Sequence, residues 1–154
     1  LTAYKQKDFD TALSIWNEEA KLKNDKAMAN LGLMYLKGEG VQKDYSKAKE
    51  WFDEASKYDN DSANFNLALM YQTKIGVEED VEKAKDYFRR AVSKNHTQAA
   101  FRLALLLLQD RNNIDGVKEG FDCTSFLFLS AIHNPKGLLF TFNSEKELGL
   151  KSKP

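Results

Sequence analysis

The side chains able to carry covalent or metal chemistry are few and scattered. Cys123 is the sole cysteine, which excludes an internal disulfide framework and a Cys-based metal cluster. No signature of nucleophilic catalysis surrounds it, and a small buried residue is its expected role. His96 and His133 each stand near an expected helix end, without a second His or Cys at a plausible ligand spacing, so no metal site is expected. Gly38-x-Gly40 follows a helical pattern rather than a strand, the wrong context for a loop that cradles phosphate. There is no Ser-centred hydrolase elbow either. The carboxylates are spread as solvated helix faces, with Asp53 and Lys57 four positions apart as a supporting pair. Asn30 and Asn66 carry amides that can donate and accept, and both would sit well on a plain helix surface.

These two asparagines are 36 positions apart, and their surroundings repeat with them. Ala27, Asn30, Leu31, Gly32, Met34 and Tyr35 return as Ala63, Asn66, Leu67, Ala68, Met70 and Tyr71, then in degraded form as Ala99, Arg102, Leu103, Ala104, Leu106 and Leu107. A second half-unit, Gly40, Val41, Asp44, Lys47, Ala48, Trp51, Phe52 and Ala55, returns as Gly76, Val77, Asp80, Lys83, Ala84, Tyr87, Phe88 and Ala91. Asp8, Thr11, Ala12, Ile15 and Trp16 begin the same half-unit one period earlier. A period of this length marks a repeat architecture.

Within each copy the spacing is helical. Ala27, Leu31 and Tyr35 share one face, as do Ala48, Phe52 and Ala55. Small residues at Gly32, Ala68, Ala104, Ala48 and Ala84 let helix axes approach, and Tyr35, Phe52, Tyr71 and Phe88 fill the space between them. The run Lys37 to Gly40 breaks the first helix, and Asp44 and Asp80 are placed to cap the second. The pattern predicts helices over 26–37, 45–57, 62–72, 81–93 and 98–109, after one partial unit. A single pair cannot bury its apolar face, so neighbours must stack into a right-handed superhelix. The expected fold is all-α: one solenoid domain comprising a partial repeat (1–23), repeats at 24–60 and 61–96, a divergent repeat (97–133) and a C-terminal cap (134–154). In the divergent copy, 110–120 reads as an extended loop and 121–133 as a displaced second helix stopped by Asn134-Pro135.

The hydrophobic content is ordinary for a soluble protein, and charged residues, at 30%, are slightly above the usual share. Lys plus Arg (23) equals Asp plus Glu (23), so no net field draws nucleic acid or an anionic membrane. No apolar run approaches the roughly 18 residues of a membrane span; the richest, 126–132, is far shorter. Leu1 falls inside what should be the first helix of a unit, with no initiator Met and no signal-peptide pattern. An excerpt of a longer protein is therefore expected. The compartment is left open, an exported or periplasmic one included, as is the oligomeric state.

At these residues the chain resembles the Sel-one-like repeat (SLR) family, relatives of the tetratricopeptide repeats. The shared pattern is A-x-x-x-L-G-x-x-Y, then G-x-G-V, then D-x-x-K-A-x-x-W/Y-F-x-x-A. Ala27 to Ala55 carries it almost whole, while Ala63 to Ala91 has Thr73-Lys74-Ile75 in place of the first loop glycine. The resemblance covers about residues 1–110. It implies a non-enzymatic adaptor without a cofactor, binding a protein or peptide on a concave surface lined by the first helix of each pair. By that resemblance the wall holds Ala29, Asn30, Leu33 and Lys37; Phe65, Asn66, Leu69 and Gln72; and Phe101, Arg102, Leu105 and Leu108. In some relatives the asparagine position hydrogen-bonds a peptide backbone. Two other occupants stay open: the C-terminal segment with Leu138, Leu139, Phe140 and Phe142 folded back into the groove, or neighbouring repeats packed tightly enough to bury the wall. A module of a larger assembly is the second functional reading. A β-lactam-binding or hydrolase-linked member is a remote third, because that branch carries a Cys pair in each repeat and this chain does not.

Overall fold

The structure, a computed structural model, describes residues 2–6 and 8–109. Among them every regular element is a helix: α1 (Thr2–Lys5), α2 (Phe9–Lys21), α3 (Asp25–Lys37), α4 (Tyr45–Ser56), α5 (Asp61–Thr73), α6 (Val81–Val92) and α7 (Thr97–Gln109). The five helices expected from the repeat lie within about one residue of their places. The loop over 110–120, the helix over 121–133, the cap, Cys123 and His133 lie outside the described residues.

The helix ends are set by side chains that satisfy orphan N–H groups. Asp44 and Asp80 accept from the backbone N–H of Lys47 and Lys83, each at 3.0 Å. Asn24 and Asn60 do the same for α3 and α5, with Asn60 accepting from Ala63 at 2.9 Å. Each α3–α4 or α5–α6 pair is thus a helix, a tight loop and a second capped helix. Gly38 ends α3 in the left-handed region (φ 77°), and Lys74 takes that place in the next copy (φ 61°) without being glycine.

The chain forms two compact units, 1–96 and one that begins at Thr97. In the first, α3 packs on α4, α5 on α6, α2 on α3 and α4 on α5. One apolar cluster runs from Ala12 and Trp16 of α2 through Leu31, Met34 and Phe52 to Leu67 and Met70 of α5. The copies therefore share a core instead of each closing its own, as an all-α repeat solenoid requires. Phe52 and Phe88, 36 apart, are both fully buried. Gly32 lets α3 approach α4, since a Cβ there would lie 2.5 Å from the Phe52 ring. In the second unit, α7 buries Ala99, Ala100, Leu103 and Leu107.

Asp53 pairs with Lys49 at 2.6 Å, and Lys57 pairs with Glu54 at 2.5 Å. This corrects the Asp53–Lys57 pairing expected from spacing. Lys57 lies at the cap position beyond the end of α4, while Lys49 stands a turn inside the helix. Such surface pairs contribute only about 0–1 kcal/mol.

Candidate functional site

Each first helix of a pair has a buried face and a wetter one. On α3, Ala27, Leu31 and Met34 are buried, and Lys26, Asn30, Leu33 and Lys37 occupy the less buried side. On α5, Ala63, Leu67 and Met70 are buried, and Ser62, Asn66, Leu69 and Thr73 lie opposite. The spacing i, i+4, i+7, i+11 keeps four residues on one stripe, and each member of the second set stands 36 positions after one of the first. Thr73, absent from the wall expected from the sequence, is the residue one period after Lys37.

The stripe is chemically mixed. Asn30 makes no side-chain hydrogen bond among the described residues, so its amide can both donate and accept. Asn66 donates Nδ2 to the Ser62 carbonyl at 2.8 Å, which leaves its Oδ1 to accept. Leu33 and Leu69 are half-buried beside them. Lys37 is held from the rim, 3.3 Å from the Tyr4 hydroxyl and 3.9 Å from Glu39.

Three other residues assigned to the wall have surroundings of their own. Ala29 is buried in the core. The Phe65 ring stacks on His96, with centroids 4.5 Å apart and an interplanar angle of 20°, and lies 5.9 Å from Phe88. Gln72 is half-buried, and its Oε1 is enclosed without a hydrogen-bond partner. In the second unit, Phe101 and Leu105 of α7 are 37% and 43% exposed and Arg102 is half-buried. The Leu108 side chain lies outside the described ones.

His96 links this packing to pH. Burial holds its imidazole below the ordinary range, against the opposing pull of the Asp61 carboxylate. The folded chain therefore binds this proton less readily than the unfolded chain. The stabilisation from a neutral His96 is complete above the ordinary value of 6.5 and is lost as pH falls through it toward the depressed folded value. Thermal unfolding of wild type and His96→Phe between pH 7.5 and 5.5 checks this. The variant should keep the ring stack and show a flatter dependence, whereas equal slopes would contradict the assignment.

Among the described residues no group of three or more His, Cys, Asp or Glu could hold a metal ion. No helix among them is long and apolar enough to cross a membrane.

Comparison with known proteins points one way. The pattern of the Sel1 repeat matches residues 25–57 and 61–96, which are the two complete copies. A crystal structure of a Sel1 repeat protein from Oxalobacter formigenes is similar with a TM-score of 0.78 and 26% identity, over 86% of this chain and 54% of that one. A protective antigen present in uropathogenic Escherichia coli strains, which displays an SLR fold, is similar in fold with a TM-score of 0.70 and 21% identity, over 77% of this chain and 26% of that one. This chain thus spans about half the length of the first and about a quarter of the second. No curated protein matches it.

Proposed function

We propose that this chain, which the Sel1 repeat pattern matches over residues 25–57 and 61–96, is a protein-interaction scaffold holding a segment of a partner along the less buried face of α3 and α5. The observation that carries this reading is the repetition of one half-polar stripe. Asn30, Leu33 and Lys37 recur as Asn66, Leu69 and Thr73, with the Asn30 amide unused by the fold. Amides at a fixed period suit the backbone of an extended guest, and the leucines between them suit its apolar side chains. Arg102 and Leu105 stand at the same register positions of the third copy. Binding without turnover needs no nucleophile, base or cofactor.

The test uses peptides selected from a random display library on the immobilised chain. Asn30→Ala with Asn66→Ala should weaken the selected peptides by about tenfold, since two net hydrogen bonds contribute about 1–3 kcal/mol together. Unchanged affinity in a variant with unaltered circular dichroism would refute the stripe.

A second reading, one module of a larger assembly, draws on α2 and its end. Ile15 is 46% exposed and Leu22 is 82% exposed, and large apolar side chains left open in this way suit a neighbour. Light scattering separates the two readings. Association that rises with concentration and disappears in Ile15→Lys with Leu22→Lys favours assembly. A monomer at every concentration removes that reading.

A further inference from the structure

The 36-residue period supplies an internal comparison between Trp51 and Tyr87, which occupy equivalent positions on α4 and α6. Over the Tyr87 ring lies the guanidinium of Arg90, 5.7 Å from the centroid. In the earlier copy the place of Arg90 is taken by Glu54 and that of Arg89 by Asp53. No cation lies over Trp51 among the described residues, although Lys47 and Lys83 stand over Tyr35 and Tyr71, each at 5.4 Å. Beside the indole opens a cavity of about 400 Å³ lined by Glu50, Trp51, Asp53 and Glu54.

We propose that this cavity receives the guanidinium of an arginine from a partner protein, lying over Trp51 as Arg90 lies over Tyr87 and pairing with Glu50 and Glu54. Indole is the strongest of the aromatic faces for a cation, and a planar guanidinium can stack while its N–H fork meets a carboxylate. Glu50 has no ion-pair partner among the described residues. Asp53 and Glu54 hold Lys49 and Lys57 at 2.6 and 2.5 Å, but partly exposed pairs of this kind contribute little and exchange readily. The cavity lining itself carries three carboxylates, Glu50, Asp53 and Glu54, and no cation, which is complementary to an arginine; Lys47, one turn earlier, lies over Tyr35 instead. The site lies on a different helix from the Asn30–Asn66 stripe and stands or falls separately from it.

The chain has two tryptophans, and Trp16 is only 4% exposed, so their indole N–H signals in a ¹⁵N-labelled sample give a reporter and a reference. The probe is the peptide acetyl-Gly-Arg-Gly-amide, with its citrulline analogue as neutral isostere. The Trp51 signal should move saturably with the arginine peptide, and at least about tenfold more weakly with citrulline. The Trp16 signal should stay in place. Glu54→Arg restores the arrangement of the later copy, so it should shift the Trp51 signal without peptide and cut peptide affinity at least about tenfold; Glu50→Gln should weaken it less, and Leu69→Arg should leave it unchanged. The proposal is overturned by any of three results: no saturable Trp51 shift, an equal response to citrulline, or undiminished binding in Glu54→Arg.

Discussion

Replacing Phe52 with Ala is expected to lower the unfolding free energy by about 3–5 kcal/mol. The ring is fully buried and packs within the cluster that joins α2 to α5, so its removal opens a cavity bounded by helices of more than one copy. A loss of this size is a large part of the stability of a small domain. Gly32 provides an internal check, because an added Cβ would meet the Phe52 ring at 2.5 Å. In wild type, Gly32→Ala should destabilise by about 1–2 kcal/mol, as overpacking outweighs the roughly 1 kcal/mol of helix propensity gained. In the Phe52→Ala background the obstacle is gone, and the same substitution should stabilise. Urea unfolding of the four proteins gives the double-mutant cycle. Independent, additive effects would contradict the close α3–α4 packing.

Gly76→Val is expected to cost about 3 kcal/mol, although it lies in a loop. Gly76 has a φ of 70°, where a β-branched residue is strained. A Cβ there would also lie 2.5 Å from the Cβ of Tyr45, the rigid stem of the first residue of α4. Gly40 is placed equivalently one period earlier, where an added Cβ would run into the Cβ of Phe9, the first residue of α2. Both loop glycines thus receive the start of the preceding second helix, which makes them joints between copies. Gly76→Asn separates the two causes: asparagine tolerates the left-handed region but keeps the Cβ clash. It should cost about 1–2 kcal/mol, measured by thermal unfolding. A neutral Gly76→Val would mean that the copies are not locked there.

Most of this architecture is legible in the sequence because the period repeats its instructions. Asp44 and Asp80 mark helix starts, Gly38 marks a stop, and alanines at 27, 48, 63 and 84 mark the faces that meet. The family resemblance rested on those same positions. Features that depend on one copy alone were harder to read. Phe65 has the spacing of a wall residue, yet its ring is claimed by His96, 31 positions later and just before α7. Spacing also allows Asp53 either of two lysines, Lys49 or Lys57, and does not show that the second has left the helix. Asn24 and Asn60, themselves 36 positions apart, carry the same kind of cap signal for the first helix of each pair. The difference between Trp51 and Tyr87 emerges only when charge is compared position by position between copies.

The central functional claim, that a guest lies along α3 and α5, is tested most directly at the leucines of the stripe. Leu33→Arg with Leu69→Arg leaves the buried faces intact and places two charges where the guest must bury apolar surface. For peptides selected on the unmodified chain, affinity measured by fluorescence anisotropy should fall at least tenfold, because each apolar contact contributes about 1.5–3 kcal/mol when fully buried. A folded double variant that binds those peptides as tightly as wild type would place the guest on another surface and contradict the claim.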